Sequence, residues 1–228
     1  KGRRKVPYPI VAVVGYTNAG KSTLFNKITG AGVVAMDQVF ATLDPTMREV
    51  KLPSARRIIL SDTVGFISDL PTMLVAAFRA TLEEVVEADL ILHVRDIAHE
   101  ETEAQAQDVE KVLRDLGIDT LPVDSHILEV WNKIDLLSGE RRVELQHEGL
   151  RNARPPVLVS AATGEGMAPL LDAIDGQLSA AAAIIDVIVP GSNGALLNWL
   201  HETCDVLARA SRKDGSVELR LRVPSEKK

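Results

Sequence analysis

The chain has 228 residues, of which 46% are hydrophobic and 25% charged, and its formal net charge is −6. This length and composition allow one full-sized folded domain and a small second one. The acidic balance argues against binding to naked nucleic acid by bulk electrostatics, because phosphate binding needs clustered Lys and Arg. One cysteine excludes an intrachain disulfide, and no apolar run approaches the ~18 residues of a membrane span.

The start of the chain carries the one dense basic run, with Lys1, Arg3, Arg4 and Lys5. We interpret residues 1–7 as the solvated end of a linker in a longer protein, because the chain starts with Lys and this segment is too polar for a signal peptide. A phosphate contact is the alternative interpretation. The single cysteine fits a reducing compartment, so we expect a cytoplasmic location, and we expect this fragment to be a monomer.

Strand-like and helix-like segments alternate along residues 8–182. The predicted strands are Pro9–Val14, Met47–Leu52, Arg57–Asp62, Asp89–Asp96, Ile127–Asn132 and Pro156–Ser160. The predicted helices are Lys21–Thr29, Pro71–Glu87, Glu100–Leu116, Gly139–Glu148 and Met167–Ala182. Strands made of continuous Val, Ile and Leu runs indicate a parallel sheet buried on both faces. The alternation therefore predicts a three-layer, doubly wound α/β domain.

Two segments depart from this alternation. The second and third predicted strands are joined by only four residues, too few for a helical crossover, so we expect an antiparallel hairpin that adds one edge strand. Beyond residue 182 the pattern predicts a strand at Ile184–Val189, an amphipathic helix at Asn193–Ala210 and a strand at Val217–Val223, the last one preceded by an Asp-Gly turn signal. Residues 183–228 thus form a predicted small α+β domain of β-α-β order.

A phosphate-binding loop follows the first predicted strand. The sequence GYTNAGKS matches G-x-x-x-x-G-K-[ST] and lies between a strand and a helix, as that motif requires. Its two glycines allow the backbone N–H groups to turn inward toward phosphates. Lys21 can then reach the outer phosphates, and Ser22 can offer its hydroxyl to Mg²⁺. The predicted nucleotide contacts are Gly15, Tyr16, Thr17, Asn18, Ala19, Gly20, Lys21, Ser22 and Thr23.

Two further segments are predicted to respond to the third phosphate. The motif D-x-x-G ends an apolar strand, where Asp62 can hold Mg²⁺ through water and Gly65 can donate its N–H to the γ-phosphate. The long loop before it should supply a Thr for Mg²⁺ and the same phosphate, and Thr42 and Thr46 are both candidates. The other predicted nucleotide contacts of the two segments are Phe40, Ala41, Leu43, Asp44, Thr63 and Val64.

The choice of base is predicted from the motif N-K-x-D, which follows another apolar strand. Its residues are Asn132, Lys133, Ile134 and Asp135. A carboxylate at the last position can accept from guanine N1–H and N2–H, donors that adenine lacks there, so the motif favours guanine. The asparagine can bridge base and phosphate loop, and the lysine stem can lie over the purine face. The end of the next strand can add a backbone N–H to guanine O6. Its candidate residues are Ser160, Ala161 and Ala162.

This set of motifs resembles the translation-factor class of GTPases. The longer stretches VVGYTNAGKSTLFNKITGA, QVFATLDPT and DTVGFISDLPTMLVAAFRATLEEV are similar to the HflX family. The resemblance covers residues 8–182 and extends to the tail. It implies that Thr42 is the switch threonine, so that Ser22, Thr42 and Asp62 serve Mg²⁺ while GTP or GDP is bound. It also implies an N-terminal domain ahead of this one, binding to the large ribosomal subunit through rRNA and proteins, and splitting or rescue of ribosomes.

The expected catalytic apparatus has one unusual position. Phe66 follows Gly65, where Ras-like enzymes carry the Gln that orients the attacking water. We therefore expect slow intrinsic hydrolysis that a partner stimulates, with catalytic roles for Lys21, Thr42, Gly65 and Asn18. Asn18 resembles the Asn of GTPases that bind K⁺ beside the phosphates, so K⁺ is a candidate cofactor besides Mg²⁺. The alternative is that Asn18 simply tolerates a turn conformation.

The sequence is compatible with two other functions. One is a ribosome-assembly or RNA-chaperone GTPase of similar fold, and the other is a nucleotide-dependent binding scaffold whose hydrolysis is incidental. The FATLDPT stretch favours an HflX-like switch over the first of these. Outside the motifs, His93 lies within an apolar strand and is predicted to be a core histidine whose hydrogen bonds are satisfied.

Overall fold

The computed structural model describes residues 8–30, 46–62, 84–120, 126–180, 183–212 and 214–223. The linker prediction for residues 1–7 and the predicted switch loop lie outside these ranges, as do residues 63–66. The described chain falls into two compact units, Tyr8–Asp175 and the residues from Gly176 onward. The predicted domains, 8–182 and 183–228, stay predictions, because one helix runs across the division between the two units.

The first unit is built on a six-stranded sheet with the strand order β2-β3-β1-β4-β5-β6. Its strands are β1 (Ile10–Val14), β2 (Thr46–Lys51), β3 (Arg57–Asp62), β4 (Leu90–Asp96), β5 (Ile127–Asn132) and β6 (Val157–Leu158). Among the described residues, the helices α1 (Lys21–Thr29), α2 (Thr102–Asp115) and α3 (Gly139–Gly149) belong to this unit, and α4 (Met167–Ala180) runs across the division. All neighbouring strands are parallel except β2, which runs antiparallel to β3 at the sheet edge. The predicted α/β fold with one antiparallel edge strand is thereby confirmed.

Both faces of this sheet are covered, as its apolar strands require. Ala12 and Ile91 pack with Val109 and Leu113 of α2 on one face. Val13, which points to the opposite face, is also 0% exposed. Residues on alternate sides of a strand can both be buried only if helices or loops lie on both sides, so the unit has three layers. Parallel strands bring their carboxyl ends to one edge, and the polar motifs follow those ends.

The second unit is a three-stranded antiparallel sheet with one helix. Its strands β7 (Ala183–Pro190), β8 (Asp205–Ser211) and β9 (Ser216–Val223) lie in the order β7-β9-β8, and α5 (Gly194–Thr203) connects the first two. The core consists of apolar residues of β7, β9 and α5, namely Val189, Leu200, Val217, Leu219 and Leu221. The expected small α+β architecture is confirmed.

The helix predicted over residues 193–210 was wrong in its second half. The helix ends at Thr203, and the segment Asp205–Ser211 pairs with β9 as a strand, so the element order is β-α-β-β rather than β-α-β. The Val, Leu and Ala residues of this segment fit a helical spacing, but tertiary pairing overrides such a weak local preference. Asp214 and Gly215, with Gly215 at φ 80°, form the turn that joins the two strands. That turn signal could have revealed the extra strand.

Among the described helices, none combines the length and the apolar character needed to cross a membrane.

Candidate nucleotide-binding site

The loop between β1 and α1 forms a tight backbone turn against β4 and β5. Gly15 has φ 154°, and a Cβ at this position would lie 2.2 Å from the carbonyl oxygen of Val94. Gly20 has φ 92°, and a Cβ there would lie 2.3 Å from Nδ2 of Asn132. Asn18, between them, is also left-handed with φ 61°. A side chain at either position would clash with these neighbouring atoms and would also strain the backbone. Both positions therefore require glycine, which leaves the inside of the loop free of side-chain atoms from these two residues.

Lys21 begins α1 and lies inside the loop. It is 6% exposed, and its Nζ donates to the carbonyl oxygen of Tyr16 at 2.8 Å. Burial lowers the pKa of Lys21 to about 8, although the nearby charge of Asp62 opposes this shift. The ammonium is thus still mostly protonated at pH 7. Together with the N–H groups of the first helical turn, it makes a site of positive potential that suits phosphate groups.

Two of the described candidates for Mg²⁺, Ser22 and Asp62, lie side by side. Ser22 Oγ donates to Oδ2 of Asp62 at 2.9 Å, although the residues come from α1 and from the end of β3. Asp62 is 3% exposed and is the register partner of Val13. A hydroxyl and a carboxylate are the hard oxygen donors that Mg²⁺ prefers, so this pair fits the ion. The third predicted ligand, Thr42, lies outside the described residues.

Asn132 joins three segments of the site through one side chain. Its Nδ2 donates to the carbonyl oxygen of Ala19 at 2.9 Å, and its Oδ1 accepts the N–H of Ala161 at 3.0 Å. The residue is 1% exposed, so these bonds replace water completely. The phosphate loop, the end of β5 and the loop after β6 are therefore held in one fixed arrangement.

The residues after Asn132 turn sharply at the sheet edge. Lys133 is left-handed, with φ 68°, and Ile134–Leu136 form a single 3₁₀ turn that contains Asp135. Asp135 Oδ1 is buried and has no hydrogen-bond partner among the described residues. A buried carboxylate oxygen of this kind is costly unless a donor reaches it. The two N–H donors on the guanine edge have the chemistry to do so.

The loop after β6 is shaped by its own polar side chains. Ser160 is 0% exposed, its N–H donates to the backbone carbonyl oxygen of Glu165, and its Oγ accepts the N–H of Thr163 at 3.1 Å. Ala161 is buried against Asn132, whereas Ala162 is exposed. This loop thus presents backbone rather than side chains at the base end of the site.

Of the predicted site residues, the structure brings the phosphate loop, Asp62, the N-K-x-D residues and residues 160–162 to one edge of the sheet. The remaining predicted contacts lie outside the described residues, namely Phe40, Ala41, Thr42, Leu43, Asp44, Thr63, Val64 and Gly65.

Sequence reasoning missed one charged residue at this edge. Asp96 ends β4, and its Oδ2 accepts from Nζ of Lys133 at 2.7 Å. Asp96 follows an apolar strand in the same way as Asp62 and Asn132 follow theirs. A polar residue directly after an apolar strand is therefore the sequence signal that could have identified Asp96.

Two family models match the chain. The model described as "50S ribosome-binding GTPase" matches residues 10–133, and the model of the HflX C-terminal domain matches residues 147–228. The chain is 49% identical over 205 residues to GTPase HflX of Magnetococcus marinus, covering 90% of this chain and 46% of that protein. It is 41% identical over 225 residues to GTPase HflX of Escherichia coli, covering 98% and 51%. The chain thus spans about half the length of the curated relatives it matches.

Solved structures give a consistent result. A GTP-binding protein from the archaeon Sulfolobus solfataricus in complex with GDP superposes with a TM-score of 0.56 at 30% identity, covering 74% of this chain and 52% of that one. Era in complex with MgGDPNP and a segment of 16S ribosomal RNA superposes with a TM-score of 0.58, covering 73% of this chain and 55% of that one. At 24% identity the second likeness shows a shared fold only.

Proposed function

This chain belongs to the HflX family of GTPases, and we propose on that premise that it binds GTP with Mg²⁺, hydrolyses it to GDP and phosphate, and acts on the large ribosomal subunit. The observation that best supports the nucleotide part is the Asn132 side chain, which fastens the phosphate loop to the base-recognition loops. Asp135 Oδ1 in the same region, which has no hydrogen-bond partner among the described residues, favours guanine. The ribosomal part rests on the family alone.

In the proposed reaction, each described residue has a defined task. Backbone N–H groups of the phosphate loop and the Lys21 ammonium hold the phosphates and offset their negative charge. Ser22 and Asp62 would hold Mg²⁺, which would supply positive charge to offset the negative charge of the phosphates. Thr42 and Gly65 are assigned to the γ-phosphate from their sequence motifs.

The proposed intrinsic rate is low, because Phe66 cannot orient a water molecule through its side chain. K⁺ at Asn18 is a proposed second cofactor, and the left-handed conformation of Asn18 is equally compatible with a plain turn residue. GTP turnover measured in K⁺ and in Na⁺ at equal ionic strength separates the two roles. A faster reaction in K⁺ supports the cofactor, and equal rates dismiss it.

The biological role that we propose is that of a cytoplasmic switch. In its GTP form the whole protein engages the large ribosomal subunit, helps to split or rescue ribosomes, and leaves after hydrolysis. The decisive experiment is GTP turnover by the full-length protein with and without purified large subunits. We expect stimulation by intact subunits. Absence of stimulation would favour a binding scaffold, and stimulation only by immature subunits would favour a role in assembly.

A further inference from the structure

An ion pair between Lys133 and Asp96 lies at the base end of the candidate site. Nζ of Lys133 lies 2.7 Å from Oδ2 of Asp96, and the two side chains are 30% and 13% exposed. The other carboxylate oxygen of Asp96, Oδ1, accepts the N–H of Ala98 at 3.1 Å. Both oxygens of Asp96 therefore have partners within the chain, and its carboxylate is fixed in orientation.

The backbone brings the two residues together across neighbouring strands. Asp96 and Asn132 are register partners at the ends of β4 and β5, and the N–H of Ile97 donates to the carbonyl oxygen of Asn132 at 3.1 Å. Lys133 follows directly in the left-handed conformation. Its Cε lies 3.9 Å from the position of a Cβ built on Gly20. The lysine stem thus passes beside the phosphate loop, and its ammonium is held at Asp96.

This arrangement removes freedom from a side chain that would otherwise be mobile. A lysine side chain carries a large rotamer entropy, and ordering it on binding lowers affinity. The attraction in an exposed ion pair is too weak to keep a lysine side chain in one conformation. A half-buried pair whose carboxylate is already fixed is stronger, so it keeps the lysine ordered for more of the time. A lysine stem that is ordered before the ligand arrives makes binding stronger, because less freedom is lost in the complex.

We propose that Asp96 is a positioning residue for the guanine nucleotide, holding the Lys133 stem where it covers the purine. This inference rests on the proposed function, because it concerns the same site. Asp96 acts only through Lys133, and it leaves recognition of the guanine edge to Asp135. The consequence is slower release of bound nucleotide.

The test is the dissociation rate of a fluorescent GDP analogue from the chain, with Asp96→Ser as the variant. Serine still offers an oxygen to the N–H of Ala98 but is too short to reach the ammonium. We expect the dissociation rate to rise about threefold to tenfold with little change in association, as for the loss of one pre-ordered side chain. In turnover assays the KM for GTP should rise while kcat stays unchanged.

Asp175→Ser is the matched control. Asp175 is also a half-buried carboxylate, with 14% of its side chain exposed, and it also accepts a backbone N–H, that of Ser54, while pairing with Arg56. Neither partner belongs to the candidate site. This variant should leave GDP dissociation within about twofold of the unmodified chain, because residues that do not contact the site couple only weakly to its ligand.

Repeating both measurements in a Lys133→Met background tests whether Asp96 acts through the ammonium. Methionine keeps an apolar stem but has no charge, so Asp96→Ser should then add almost nothing to the dissociation rate. If Asp96→Ser unfolds the chain, Asp96→Asn takes its place, because it keeps the shape of the side chain and removes the charge. The effect of Asp96→Asn on dissociation should likewise disappear in the Lys133→Met background.

Two results would overturn the inference. One is a dissociation rate within twofold of the unmodified chain. The other is an equal effect in both backgrounds, which would place the role of Asp96 in the backbone turn. Failure of the unmodified chain to bind GDP at all would overturn the proposed function and this inference with it, so the two failures are distinguishable.

Discussion

The two units of this chain bury very different side chains. Seven polar or charged side chains are buried among the described residues, and all of them lie in the unit Tyr8–Asp175. They are Lys21, Ser61, Asp62, His93, Arg95, Asn132 and Ser160. The buried side chains described in the second unit are apolar, and its surface carries large apolar residues such as Ile188 and Trp199, 54% and 53% exposed. Because burying a polar group costs free energy unless it finds a partner, a unit that keeps seven buried polar side chains has a chemical use for at least some of them.

Sheet topology explains much of this contrast. Parallel strands place all their carboxyl ends at one edge, so Asp62, Asp96 and Asn132 can converge there from three strands. An antiparallel sheet such as that of the second unit alternates its strand ends between two edges, and it packs one face on a core. Variants that separate nucleotide binding from folding stability test this difference between the two units.

The largest expected effect is loss of guanine binding by Asp135→Asn. The new amide presents donors where guanine also presents donors, so GDP affinity should fall on the order of 10³-fold. Xanthine carries a carbonyl at C2 in place of the guanine amino group, and it should bind the variant better than the unmodified chain. Titration of both diphosphates measures this exchange. Unchanged GDP affinity would remove Asp135 from the site.

The second unit should respond to core truncation in stability alone. Leu219 is 0% exposed at the centre of its sheet, so Leu219→Ala should lower the free energy of unfolding of this unit by about 3 kcal/mol. GDP affinity should change less than twofold, because no candidate site residue lies in this unit. The control is Leu92→Ala, because Leu92 is 0% exposed on β4 of the first unit. This variant should lower both the free energy of unfolding and the affinity for GDP. Thermal unfolding and GDP titration together decide the matter.

Ion pairs in the two units should differ in strength. Arg95 is 8% exposed, pairs with Glu129 and Glu103, and lies over the Trp131 ring. Arg95→Ala should lower the free energy of unfolding by about 2–3 kcal/mol, less than for a wholly buried pair because Glu103 is exposed.

The matched control is Arg220→Ala in the second unit. Arg220 pairs with Asp186 across the sheet, but both side chains are more than half exposed. Solvent screens such a pair, so its removal should cost about 0.5 kcal/mol or less. Equal losses for the two variants, measured by denaturant unfolding, would contradict this difference between the units.

A pH dependence of stability is expected from His93. His93 is 4% exposed, and its Nε2 has no hydrogen-bond partner among the described residues, so the prediction of a fully satisfied core histidine was wrong. Burial lowers the pKa of His93 to about 4, with Glu129 opposing the shift and Arg95 and Lys21 adding to it. The folded unit therefore holds this imidazole neutral, whereas the unfolded chain takes up a proton below about pH 6.5.

Stability is consequently present above about pH 6.5 and is lost as the pH falls toward about 4. The expected loss from this group between pH 7 and pH 5 is about 2 kcal/mol. Denaturant unfolding at both pH values checks it, and His93→Leu should remove this part of the slope. An identical slope in the variant would assign the acid sensitivity to the carboxylates instead.

Sequence patterns predicted most of the first unit. The segments Lys21–Thr29, Arg57–Asp62 and Ile127–Asn132 have the predicted bounds, because each is a strong local pattern bounded by a motif or a turn. The other predicted elements whose ends the structure describes differ there by one or two residues, except for the helix that ends at Thr203 instead of residue 210. There, local spacing was ambiguous, and pairing with β9 decided the outcome.

Residue types at fixed local spacing after strands were sufficient to predict the fold class and the family, and they predict a site for phosphate and guanine recognition. Which distant side chains meet followed from the tertiary structure alone. Lys133 pairs with Asp96, 37 positions away in the sequence, and Arg95 pairs with Glu129, 34 positions away. Asn132 bonds to the carbonyl oxygen of Ala19, 113 positions away. No local pattern encodes such pairs, because they arise from the register of β4 against β5 and from the close approach of the phosphate loop to the neighbouring strands.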